Sequence, residues 1–165
     1  MNSKRPAKLE NVREKTITYY GLGFPVVLCG FPMKKYWGED MPDINYNELK
    51  RAVIELLVRK PWPLTGNEIR FIRQYFEMNY TEFGKHFGQT RQAVTKWEEK
   101  EDHFAAITRS TELHIRLAIL DLLKANNKVF RQIFHEFDQN EELKSKKHYH
   151  EPLPISVTPS ELKCL

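Results

Sequence analysis

"TEFGKHFGQTRQAVTKWEE", Thr81 to Glu99, sets two short amphipathic stretches on either side of Gly88. Asn79 can cap a helix running to Phe87, and Glu82, three residues on, completes a capping pair. Phe83 and Phe87, four apart, share an inward face. Gly84 beside them carries no side chain to hold off a crossing helix. Gly88 supplies the positive φ that ends a helix sharply. Thr90 caps the next helix, which turns Ala93, Val94 and Trp97 inward. Its outward residues near the start are Thr90, Arg91, Gln92, Thr95 and Lys96. Arg can hold guanine O6 and N7 with two hydrogen bonds and Gln can hold adenine N6 and N7, each contact contributing about 1–3 kcal/mol of base discrimination. Backbone amides at helix starts, with Lys85 and Tyr80, suit phosphates. The plainer alternative is a helical hairpin in a bundle with a solvated polar face. The order of small residue, glycine turn, cap, Val and Trp favours double-stranded DNA.

Upstream, "TGNEIRFIRQYFE" begins with Thr65 and Glu68 at capping-box spacing. Ile69, Ile72 and Phe76 form one apolar face, and Phe71 with Tyr75 form a second. That second face most economically meets the helix in "DINYNELKRAVIELLVRKPWP", whose stripe is Leu49, Ala52, Val53, Leu56 and Leu57. Asn45 can cap that helix, and Pro61 and Pro63 prevent its continuation. Before it, "KTITYYGLGFPVVLCGFPMKKYW" is β-branched, aromatic and punctuated by Gly and Pro, which predicts short strands with bends. The expected class is therefore mainly α (α+β), a helical domain with a small N-terminal β-strand appendage.

Residues 1–14, with Lys4, Arg5, Lys8 and Arg13, read as a flexible basic arm that Lys15 extends, and 15–44 as the β-rich region. Residues 45–138 read as the helical domain, with the two-helix unit inside 65–99. Near 111–124, Leu113, Ile115, Leu117, Ala118, Ile119, Leu120, Leu122 and Leu123 surround most of a helix. Such a helix needs cover on two faces. A second copy meeting Leu113, Leu117 and Leu120 would supply one of them. The homodimer would also place two reading helices in successive major grooves, about 34 Å apart, on a palindromic operator. "NKVFRQIFHEFD" is an ordinary one-sided helix, and 139–165 reads as an extended or disordered tail.

Lys plus Arg exceed Asp plus Glu by 26 − 22 = 4 in 165 residues, a balance that permits a polyanionic partner without demanding one. Cys29 sits in an apolar run and reads as a small core residue. With Cys164 it is too few for a four-thiolate zinc site. His148 and His150 read as part of a solvated tail. No metal, cofactor or catalytic residue is expected, since no phosphate loop, nucleophile motif or carboxylate constellation is present. No stretch approaches the roughly eighteen apolar residues of a membrane span, and the N-terminus lacks a signal peptide's apolar core, so a cytoplasmic location is expected.

Thr65 to Glu98 resembles the helix-turn-helix of the Cro/phage-repressor (XRE) family at Met78, Asn79, Phe83, Gly84, Phe87, Gly88, Thr90, Val94, Trp97 and Glu98. The resemblance implies a structural ion pair between Arg73 and Glu98. Gln89 departs from it, standing where the family has a half-buried aliphatic. A longer stretch, Tyr19 to Leu123, is similar to bacterial zinc-finger/helix-turn-helix antitoxins of the MqsA/YgiT type, through "YYGLGFPVVL", "MPDINYNELKRAVIELLVRKPWPLTGNEIRFIRQYF" and "STELHIRLAIL". It implies an antitoxin that represses its own toxin–antitoxin operon. The family's Cys-x-x-Cys pairs are absent, and "KKYWGED" stands where the second would lie. Apolar packing that includes Tyr36 and Trp37 is expected to replace the metal. The alternative is a toxin-neutralising module, acting through the N-terminal strands or "PLPISVTPSELK", with DNA binding secondary.

Overall fold

In a computed structural model that describes residues 15–139 and 152–163, the chain folds as a mixed α+β protein. Strand β1 (Lys15–Tyr19) pairs antiparallel with β2 (Val26–Phe31), with a register shift between Lys15 and Ile17. Along β2, Val26 and Leu28 are buried and Val27 and Cys29 half-buried, and the register shift then changes the phase so that Phe31 is buried as well. The other edge of β2 is filled from far along the chain. Strand β5 (Ile155–Val157) lies parallel to it, with Ile155 opposite Val26 and Val157 opposite Leu28. The sheet order is β1-β2-β5.

This last strand departs from the expectation of an extended or disordered tail. Ile155 and Val157 are two apart, so a strand turns both to one face, and both are buried in the main core. A three-residue strand is too short to show that period against its proline-rich approach.

Strands β3 (Met33–Tyr36) and β4 (Glu39–Pro42) form a separate hairpin. Trp37 and Gly38 make its turn, both at positive φ (53° and 87°), the geometry of a tight two-residue hairpin connection. The turn carries Tyr36 and Trp37 out to 65 % and 93 % exposure. They do not hold the N-terminal strands together; Leu22, Phe24, Val26, Leu28 and Phe31 do.

Helix α1 (Tyr46–Arg59) starts where Asn45 Oδ1 accepts from the amides of Asn47 and Glu48, and it buries Leu49, Ala52, Val53, Ile54, Leu57 and Val58. Helix α2 (Gly66–Tyr75) carries the complete Thr65–Glu68 capping box. The two residues of its second face go to different partners. Phe71 meets the edge of Phe24 at 5.4 Å, and burial raises the Tyr75 phenol beside Arg51 and Glu55 of α1. Helix α5 (Arg109–Leu122) packs on α1 from one side, and α6 (Asn127–Gln139) covers another with Ile133 and Phe137. Helix α7 (Pro159–Lys163) returns to α1.

Part of the second cover for α5 comes from the same chain, while Leu122 stays 44 % exposed. Leu120 is 5 % exposed and belongs to the chain's own core, so it is not free to meet a partner; Leu113 and Leu117 are half-buried. The helix is also not apolar all round. Arg116, 1 % exposed, donates to the carbonyls of Val58, Lys60 and Trp62 and to the Glu112 carboxylate. It therefore satisfies the carbonyls that α1 leaves open at its end.

Candidate nucleic-acid interface

Helices α3 (Tyr80–His86) and α4 (Arg91–Glu98) are joined by four residues. Asn79 accepts from the amides of Thr81 and Glu82 while Glu82 accepts from Asn79, and Thr90 accepts from Ala93. Gly88 stands at φ 65°, in the left-handed region that ends a helix at little cost to glycine. Gly84 is required for a different reason. A Cβ there would meet the Gln89 carbonyl oxygen at 2.8 Å and the Thr90 carbonyl carbon at 3.1 Å. Only glycine allows the start of α4 so close to α3. Gln89 is half-buried and its side chain donates to Thr111 of α5 at 3.4 Å, so the turn carries a weak polar tie to α5.

The inward face of α4 is fixed by packing and by charge. Val94 and Trp97 are buried, and Glu98 is 1 % exposed. Arg73 of α2 donates to both oxygens of that carboxylate, at 2.6 and 3.1 Å, and also to the Met78 carbonyl. The bonds to Glu98 hold the Arg73 guanidinium above its usual pKa, against the effect of burial. Arg70 adds a second donor to Glu98 at 3.2 Å. Loop 99–105 is pinned to the start of α2 by Gly66 N–H to His103 O, Asn67 N–H to Glu101 O and Ala105 N–H to Leu64 O. Both ends of α4 are therefore anchored to α2 and α3.

The opposite face is open. Thr90, Arg91, Gln92 and Lys96 are exposed, and Thr95 is half-buried with its hydroxyl donating to the Arg91 carbonyl. On α3, Lys85 is exposed. Tyr80 is half-buried, with the Arg73 guanidinium 4.1 Å from its ring centre, which makes the ring part of the support beneath α4.

α4 also differs from its neighbours in the charge of its first turn. Helices α1, α2, α3 and α5 each carry a glutamate there, namely Glu48, Glu68, Glu82 and Glu112; α4, like α6, carries no acid, and it begins on the exposed Arg91 where α5 begins on Arg109, whose guanidinium is tied to the Phe137 and Asp138 carbonyls. A cation at a helix's positive end costs about 0.3–1 kcal/mol at an exposed site.

Two residues were not legible as partners from spacing. Arg70 is one, since it lies one turn before Arg73 on α2 and shares its target. The other is Thr111, whose contact with Gln89 joins the turn to α5. Lys15, counted with the basic arm, is in β1 and pairs with Asp40 at 2.7 Å. Lys4, Arg5, Lys8, Arg13, His148, His150 and Cys164 lie outside the described residues. Among the described residues no group of three or more His, Cys, Asp or Glu is placed to hold a metal, and no helix is long and apolar enough to cross a membrane.

Comparison of the chain with protein-family models, with curated proteins and with solved structures found no match.

Proposed function

We propose that this chain is a sequence-specific DNA-binding regulator of transcription, in which α2, α3 and α4 act as an XRE-type helix-turn-helix and α4 enters the major groove. The observation that carries the reading is the open, acid-free start of α4, headed by Arg91 and Gln92, on a helix whose other face is locked by Trp97 and Glu98. Arg91 and Gln92 read base edges. Thr90, Thr95, Lys96 and Lys85 position the helix on phosphates, and Tyr80 acts chiefly through its ring beneath Arg73. Two copies bind a palindromic operator, and the half-buried Leu113 and Leu117 of α5 offer an apolar contribution to their contact. The resemblance to MqsA/YgiT-type antitoxins extends the proposal to an antitoxin that represses its own operon.

In-vitro selection should recover a two-fold symmetric DNA motif. Arg91→Ala combined with Gln92→Ala should abolish preference for it, by about 1–3 kcal/mol per lost bidentate contact, with the circular dichroism spectrum unchanged. An unaltered footprint from the double variant would remove α4 from the reading role.

A second reading, a protein-neutralising module, is favoured by one observation. The β3–β4 hairpin presents Tyr36, Trp37 and Met41 to solvent, and aromatic residues of this kind anchor protein interfaces. It expects a neighbouring reading frame that cannot be cloned without this one. It also expects Trp37→Ala with Tyr36→Ala to lose that protection while binding DNA normally; full protection by that variant would dismiss the hairpin.

A further inference from the structure

A cleft of about 560 Å³ opens between the loop joining β1 to β2, the first turns of α1 and one side of α2. That volume lies within the roughly 300–1,000 Å³ of small-molecule sites. Tyr46, Phe71 and Tyr75 give it flat apolar walls, and Lys50 and Arg70 give it two cations. Lys50 Nζ lies 5.0 Å from the centre of the Tyr46 ring and makes no ion pair among the described residues. Glu77 also lines the cleft and Arg70 is shared with Glu98, so the net positive charge there is small. The balance suits an anion of low charge better than a polyphosphate.

Arg70 connects this cleft to α4. Its Nη1 donates to Asn67 Oδ1 at 3.0 Å, its Nε to Glu98 Oε2 at 3.2 Å and its Nη2 to the Glu98 carbonyl at 3.4 Å. The side chain is 42 % exposed, against 11 % for Arg73, which holds the same carboxylate from the other side. A second carboxylate in the cleft competes with Glu98 for the Arg70 donors and leaves Arg73 in place.

We propose that this cleft binds a small aromatic monoanion, a ring-bearing carboxylate held by Lys50 and Arg70 with its ring against Tyr46 and Tyr75, and that occupancy reaches α4 through Arg70 and Glu98. The second half rests on the DNA-binding reading; the first does not.

Benzoate and indole-3-acetate, titrated into the full chain, should move the NMR signals of the Gly21 and Gly23 amides and of Arg70 Nε, while benzamide and indole-3-acetamide should not. Lys50→Ala should weaken carboxylate binding about tenfold, the loss of one charge-assisted contact. The site is overturned by silence at about 10 mM carboxylate, the weak end of measurable affinity, by an equal response to the neutral amides, or by unchanged affinity in Lys50→Ala. Saturation of the same signals by ATP at lower concentration than either carboxylate overturns the monoanion assignment. None of these readings needs DNA. On the selected DNA motif, indole-3-acetate should change the DNA Kd about fivefold, within the usual range of coupling between sites. In Arg70→Gln the ratio of Kd with and without indole-3-acetate should fall to one. A ratio kept in that variant overturns the transmission while leaving the cleft, and failure to bind any DNA counts against the proposed function alone.

Discussion

Glu98 is nearly sealed from water, and most of what keeps its charge there comes from Arg73. Arg73→Ala would leave a buried carboxylate with only the part-exposed Arg70, a change that approaches the cost of about 3–5 kcal/mol for removing one partner of a buried pair. Arg70→Ala touches the same carboxylate from a position 42 % exposed, where solvent screens the pair, so its cost should stay within about 1 kcal/mol. Urea unfolding of the two variants measures the contrast. Equal losses would show that the two arginines share the load. The possibility of this pair was visible in the sequence only as an implication of the resemblance, since Arg73 and Glu98 lie 25 residues apart and no spacing rule joins them. Arg70 was not, because nothing in its spacing separates a surface arginine from one bent back over a helix end.

Among the elements, those with a strong local signal were the legible ones. The caps at Asn45, Thr65, Asn79 and Thr90 all accept amide bonds, since a capping side chain and its target lie within four residues of each other. What resisted reading was polar burial that depends on distant chain. Lys60, at the end of α1, is 4 % exposed and donates to both oxygens of Glu68 at 2.6 and 2.8 Å, so α1 and α2 are joined by a buried ion pair. Burial holds the Lys60 ammonium below the ordinary lysine pKa, with the Glu68 carboxylate opposing that shift. In the window between its folded pKa and its higher unfolded one, the folded chain binds fewer protons than the unfolded chain. The stability attributable to Lys60 therefore rises with pH across that window. Unfolding free energies should show the native chain gaining on Lys60→Met as pH climbs toward about 10.4, the unperturbed lysine value. A difference that shrinks over that range would reverse the sign.

For the molecule as a whole, the sheet is where expectation and structure part most clearly. An α+β chain with N-terminal strands was readable from Gly and Pro punctuation, but the strand that completes the sheet comes from 155–157, and no local pattern announces a partner more than a hundred residues away. Ending the chain after Gln139 removes β5 and α7 and uncovers one edge of β2. Amide exchange at Val26 to Leu28 should then accelerate, whereas α2, α3 and α4, whose caps and ion pairs lie within 65–105, should keep their protection. Unchanged exchange in β2 would make β5 an ornament of the fold.

That parallel pairing also fixes an order of events during synthesis. β2 leaves the ribosome early and stays bare along one side until Val157 has followed it, so nascent copies growing side by side on one message have time to exchange strands.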